Sequence, residues 1–169
     1  MSKDRRIRLK EPGRIWQMRV AGLAFRNGHV LVHRAAHERF WTFPGGRAEI
    51  GETTAETLRR EMKEELGVEA RIDRLLWSVE NFFHYEGKDW QEYGLYYLMH
   101  LPESIAFHES EIIHRIQDGK NLLEFRWSKA SRSALAALPI PPSFIAEEIE
   151  NLPLHTRHLV WDDGDLDLL

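Results

Sequence analysis

Residues 46–68 read GRAEIGETTAETLRREMKEELGV, and this stretch decides how the rest of the chain is read. Thr53 suits a helix N-cap, and Glu56, three residues on, completes a capping box. Ala55, Leu58, Met62 and Leu66 recur at three- and four-residue spacing, which makes one apolar stripe. Gly67 falls where a left-handed C-terminal cap belongs. The spacing therefore predicts a helix over 53–66. Projected at ~100° per residue, Glu61, Glu64 and Glu65 share an arc of ~100° with Thr54 and Thr57. The apolar stripe is centred about 110° away on the same projection, so the carboxylates border the buried face. Like charges at this spacing weaken a helix by a few tenths of a kcal/mol per pair, about 0.2–0.5. Ordinary ion pairs with Arg59, Arg60 and Lys63 would offset that repulsion. So would a hard divalent cation, because Mg²⁺ and Mn²⁺ prefer carboxylate and carbonyl oxygen.

Outward from this helix the pattern alternates. Residues 18–25 read as a strand, and Asn27-Gly28 between two apolar runs predicts a type I′ hairpin turn into a second strand over 29–33. Phe40 to Phe43 read as a short strand ending at Pro44-Gly45-Gly46, a chain-breaking loop. Downstream, strands are expected near 68–84 and 93–101 around a polar turn at Glu86 to Asp89, another near 122–128, and helices over 131–138 and 143–151. Strands on both sides of a central helix, with helices at the end, predict an α/β fold: a mixed β-sheet between helices.

The chain has 169 residues, which suits one domain. With no cysteine there is no disulfide framework, thiolate nucleophile or Cys-ligated metal. A formal net charge of -4 does not favour binding to a nucleic acid polymer, so a polyanionic substrate needs local arginine or a bound cation. No apolar run reaches the ~20 residues of a membrane helix, so no membrane partner is expected. The basic N-terminus lacks the apolar stretch of a secretory signal and carries Asp4 and Glu11, unlike a mitochondrial presequence, so a cytoplasmic location is expected.

The spacing in 46–68 is Gly46, five residues, Glu52, seven residues, then Arg60-Glu61-Met62-Lys63-Glu64-Glu65-Leu66-Gly67-Val68. It resembles the Nudix box of the Nudix (MutT-like) hydrolases at every fixed position. The segments Phe43 to Gly46, Glu49 to Glu52, Val79 to Phe83, Gly94 to Tyr97 and Glu124 to Trp127 are similar to that family too. The resemblance implies a Nudix-type α/β/α sandwich over residues 16–152, with an N-terminal extension (1–15) and a C-terminal tail (153–169), whose Asp162, Asp163, Asp165 and Asp167 read as solvated. It implies a metal-dependent pyrophosphohydrolase acting on a nucleotide-type diphosphate, with Mg²⁺ or Mn²⁺ as cofactor. Glu61 and Glu65 would be metal ligands, joined by the Gly46 carbonyl. Glu64 would be a ligand or the general base. Glu52 would support a second ion or pair with Arg60, and Arg60 would hold a carboxylate in position.

Glu92, Glu109, Glu111 and Glu124 are further candidates for the base, each with a solvated surface carboxylate as the plain alternative. Arg34 and Arg47 are candidate phosphate ligands against ordinary surface arginines. Trp77, Phe82, Phe83, Tyr85, Trp90, Tyr93, Tyr96 and Tyr97 read mostly as core, with one or two free to stack on a base. Tyr85 stands where dinucleoside-polyphosphate-cleaving members carry a tyrosine. His33 and His37 have zinc-pair spacing but straddle a strand end. A non-catalytic nucleotide-binding module of the same fold is the alternative; such modules usually lose box carboxylates, and this chain keeps four. The related isopentenyl-diphosphate isomerase needs a cysteine, which this chain lacks. A homodimer is left open.

Overall fold

The computed structural model describes residues 5–169. Five strands form the main path of a mixed sheet. These are β1 (Arg8–Glu11), β2 (Arg14–Leu23), β6 (Arg71–Tyr85), β7 (Lys88–His100) and β10 (Arg157–Asp165), in spatial order β1-β2-β7-β6-β10. β5 (Gly45–Arg47) pairs with the remaining length of β2. β2 runs parallel to β7 and β10 parallel to β6, while β6 and β7 form an antiparallel hairpin. A second, antiparallel sheet has the order β3-β4-β9-β8, with β3 (Phe25–Arg26), β4 (His29–Ala35), β8 (Ile112–Asp118) and β9 (Asn121–Lys129).

The alternation of side chains along the strands builds two cores. Val20, Leu31 and Leu95 face one core with Leu58 and Met62 of α1 (Thr54–Leu66). Ala21, Val30, Val32 and Tyr96 face the other, with Leu135 of α2 (Arg132–Ala136) and Phe144 and Ile145 of α3 (Phe144–Glu148). Sheets between helices make the expected α/β/α sandwich.

The local signals in the helix behave as read. Thr53 Oγ1 accepts from Glu56 N at 3.2 Å and Thr53 N donates to Glu56 Oε2 at 2.7 Å, while Gly67 adopts φ 70°. Asn27 and Gly28 have φ 49° and 72°, the two positive values a type I′ turn needs. Glu86 and Gly87 repeat that geometry, so the second hairpin closes on two residues and not on the four of 86–89.

Several expectations are corrected. Residues 40–43 are no strand: the Trp41 N–H donates to Pro139, and Thr42 makes only an isolated bridge with His33. The glycine-rich loop is instead a strand, β5, along β2. Residues 1–4 of the expected N-terminal extension lie outside the described residues; the described parts of both terminal segments are not loose. β1 extends the sheet from the N-terminal side, and β10 pairs with β6 within the expected tail, over residues 157–165. The tail aspartates are acceptors: Asp162 binds Gly164 N, Asp165 binds Asp167 N, Asp167 binds Glu86 N and Gly87 N, and Asp163 binds Asn81 and Ser143. Among the described residues no helix is long and apolar enough to cross a membrane.

Candidate active site

The N-cap and C-cap fix α1 in register, and that register turns Glu61, Glu64 and Glu65 toward a cleft of about 430 Å³. Their exposure differs as the border position predicts. The Glu65 side chain is 8% exposed, Glu61 14% and Glu64 58%. β5 brings Gly46 against the same helix. A Cβ built on Gly46 would collide with the Glu61 carboxylate, so a side chain here would displace that carboxylate.

Arg60 organises the box. Its Nε and Nη2 grip Glu52 at 2.7 and 3.2 Å, Nη1 reaches Glu61 at 2.9 Å and Glu64 at 3.4 Å, and Nη2 also donates to the Arg47 carbonyl at 3.2 Å. Thr57 Oγ1 adds a bond to Glu52 at 2.9 Å. The Arg60 bond, foremost, holds the Glu52 carboxyl below the usual range. Glu52 is not part of the cleft wall. Of its two expected roles, the pairing with Arg60 is the one the geometry displays.

Burial pushes Glu61 up, against the pull of Arg60, and pushes Glu65 up to about 9, helped by the neighbouring Glu61. Glu65 Oε2 has no hydrogen-bond partner. His33 Nδ1 lies 3.7 Å from it and is equally unpartnered. Burial, with Arg19 nearby, lowers His33 to about 3. The two groups are within ion-pair distance, but burial favours the neutral form of each, so this contact is not an ion pair. Such an orphaned buried oxygen, beside Glu61, Glu64 and the Gly46 backbone, is a hard-oxygen donor set that suits Mg²⁺ or Mn²⁺. Among the described residues no three acidic or histidine side chains already form a complete ligand group, and Arg60 bridges Glu61 and Glu64.

Next to Gly46 on β5, Arg47 lines the cleft, and its Nε donates to Gln17 Oε1 at 2.8 Å. Burial lowers its pKa, and Arg8, Arg6 and Arg19 lower it further, a crowd of cations that an anion would relieve. Arg34 also lines the cleft, stacked 4.5 Å over Trp41, but it pairs with Glu124 at 3.3 Å. Tyr85 reaches the cleft and donates to Glu38 Oε1 at 3.0 Å. Phe83, Trp90 and Tyr96 of the aromatic group line the cleft as well, while Trp77 is core.

Of the outlying base candidates, only Glu92 belongs to the cleft. It is buried and accepts from Gln17 Nε2 at 2.6 Å, and burial pushes it up. Glu124 is held between Arg34 and Arg115, and Glu109 and Glu111 are exposed and apart from the cleft. Sequence reasoning missed Arg19, Gln17, Glu38 and Asn81 in the cleft. Gln17 and Arg19 carried a weak signal: two polar residues at period two on one face of an otherwise apolar strand.

A family model described as NUDIX domain matches residues 16–139. The chain belongs to the Nudix hydrolase family. Residues 46–68, the stretch that resembles a Nudix box, lie inside the matched span. YjhB of Bacillus subtilis (strain 168), provisionally named an ADP-ribose pyrophosphatase, is 38% identical over 65 residues, 38% of this chain and 31% of that protein. The RNA pyrophosphohydrolase of Serratia proteamaculans (strain 568) is 36% identical over 61 residues, 36% of this chain and 35% of that protein. The chain thus spans about a third of the curated relatives it matches. Among solved structures, a MutT protein from Bacillus halodurans shares the fold at TM-score 0.57 and 22% identity, over 87% of this chain and 91% of that one. A UDP-X diphosphatase does so at 0.55 and 19%, over 85% and 66%.

Proposed function

We propose that this Nudix hydrolase cleaves a phosphoric anhydride bond in a nucleoside diphosphate linked to another group, by attack of water at phosphorus with Mg²⁺ or Mn²⁺ bound at the box. The observation that carries the reading is the meeting of Glu61, Glu65 and the Gly46 backbone in one cleft that Arg47 and Arg19 also line. In the relatives' names the shared chemistry is a pyrophosphate bond, and this chain keeps all four box carboxylates.

Glu61 and Glu65 would hold the cation, with the Gly46 carbonyl beside them. When bound, such an ion neutralises phosphate oxygens and lowers the pKa of a water in its coordination sphere. Glu64, the most exposed of the three glutamates, is the box carboxylate placed to take the proton from attacking water. Arg60 holds Glu52 and Glu61 in position, and Glu52 is its anchor. Arg47 and Arg19 bind the diphosphate; Arg34, committed to Glu124, borders it. Tyr85 and the neighbouring rings face the organic part of the substrate.

The test is turnover on a panel of dinucleoside polyphosphates, nucleotide sugars, ADP-ribose and nucleoside triphosphates with Mg²⁺ or Mn²⁺, with product identification. Cleavage giving a nucleoside monophosphate supports the reading. Nucleotide binding with no cleavage of any compound would favour the sensor alternative.

A further inference from the structure

The floor of the cleft holds a buried acceptor that hydrolysis does not use. Asn81 is 2% exposed, lines the cleft, and its Oδ1 has no hydrogen-bond partner. Its orientation is fixed from behind. Nδ2 donates to Asp163 Oδ2 at 3.0 Å. The other oxygen of Asp163 accepts from Ser143 N and Ser143 Oγ, both at 2.9 Å, and from Trp161 Nε1 at 3.0 Å. A carboxyl group ringed by donors selects the NH₂ end of the amide, which leaves the carbonyl oxygen for the cleft. An unpaired buried acceptor is costly, so a ligand that supplies its donor gains about tenfold or more in affinity over one that does not.

The neighbours of Asn81 make a graded strip on the sheet. Glu92 stands directly opposite Asn81 on β7, and Gln17 directly opposite Glu92 on β2. Gln17 gives its NH₂ to Glu92 and its oxygen to Arg47, so the amide has no free end to offer. Two residues along on one side, Phe83 and Trp90 stack at 5.8 Å and 11°. On the other side lie Arg19 and Arg47, paired across β2 and β5. The order is cationic, then acceptor-rich, then aromatic: the order of a phosphate, a polar base edge and a ring face.

We propose that Asn81 and Glu92 select a guanine-type base, with Asn81 Oδ1 and the Glu92 side chain taking its adjacent ring N–H and amino N–H. A fixed acceptor at Asn81 leaves the ring N1 of adenine and the ring N3 of cytosine without a donor. Uracil offers one N–H flanked by carbonyls. Guanine alone among the common bases places two N–H groups side by side. This inference rests on the nucleotide reading above and adds its base.

The experiment is calorimetric binding of three uncleavable probes, the α,β-methylene analogues of GDP, IDP and ADP, with Mg²⁺. Three proteins are compared: the native chain, Asn81→Leu and Asp163→Asn. The native chain is expected to prefer the GDP analogue over the ADP analogue by about tenfold or more, with the IDP analogue, which lacks the amino group, in between. Asn81→Leu is expected to bring all three within about threefold, because the shape stays and the acceptor goes. Asp163→Asn frees the amide to turn, and the ADP analogue is expected to gain on the GDP analogue. A structural role alone would weaken the three probes equally. Equal binding of the analogues by the native chain, no binding of any, or a uniform loss in both variants overturns the proposal. Because the probes are not cleaved, the preference is read whether or not turnover is found. An absence of hydrolysis with the guanine preference intact sinks the enzyme reading alone.

Discussion

The Glu61 carboxylate occupies the space that a side chain on Gly46 would need. Strand β5 and helix α1 are therefore in contact at the very point where the cation is expected, and the fit depends on one missing methyl group. Gly46→Ala is expected to push the carboxylate or the strand aside while the sandwich survives. A displacement near 1 Å at a reacting centre costs on the order of 100-fold in rate. Turnover with Mg²⁺ should drop by about that factor with an unchanged circular dichroism spectrum. Activity within a few-fold of the native chain would mean that the contact is incidental.

Glu61→Gln and Glu65→Gln keep shape and lose charge. Each is expected to reduce turnover by on the order of 10³, because the charge that holds the cation at the transition state is gone. The melting temperature in chelator should hardly change, while the rise produced by adding Mg²⁺ should shrink. That pair of readings separates lost metal affinity from lost folding. Chelation of the native chain should abolish turnover, and Ca²⁺ should restore little of it because its coordination is longer and looser.

Arg60 makes its five contacts through a planar fork, and lysine offers only a point charge. Arg60→Lys is expected to release Glu61 from its orientation and Glu52 from its anchor. The expected result is a fall of about 10- to 100-fold in activity or metal affinity, the range for partners that orient metal ligands. Titration of Mg²⁺ against turnover checks it: the half-saturating concentration should rise. An unchanged metal dependence would assign Arg60 to helix stability alone.

The sequence made the box legible because its signals are local. The Thr53 cap, the Gly67 stop and the periodicity of Leu58 and Met62 all act within one helix, and the Asn27-Gly28 turn acts within four residues. What it concealed is set by contacts distant in sequence. Trp41 to Phe43 look like a strand, but only Thr42 bridges a strand residue, His33, while Trp41 N bonds to Pro139 and the Phe43 carbonyl to Arg19. The aspartates of 162–167 look solvated, yet Asp163 and Asp167 bind groups 80 or more residues away, on Asn81 and Glu86. Arg34 looked as free as Arg47. Only the pairing of β4 with β9, which sets Glu124 opposite it, reveals that its charge is already engaged.

Asp167 holds the β6–β7 turn by accepting from Glu86 N at 2.9 Å and Gly87 N at 3.2 Å, and these bonds keep its carboxyl below the usual aspartate range. His84, next to cleft residue Tyr85, bonds Asp89 at 2.9 Å and lies 3.9 Å from Asp167; the Asp89 bond, foremost, raises its pKa above the usual histidine range. The two shifts act at opposite ends of the pH scale. A raised histidine stabilises the fold fully below the unfolded histidine pKa and loses that contribution as pH climbs through its folded value. A lowered aspartate contributes above the unfolded carboxylate pKa and loses its share as pH falls through its own folded value. The turn should therefore be tightest in the interval between them. Nuclear magnetic resonance titration of the His84 ring is expected to give a midpoint above that of a free histidine, and Asp167→Asn to move it down. Amide exchange at Glu86 and Gly87 should quicken in the same variant, because the amide that replaces the carboxylate accepts with one neutral oxygen in place of two charged ones. A midpoint indifferent to residue 167 would confine the effect to Asp89.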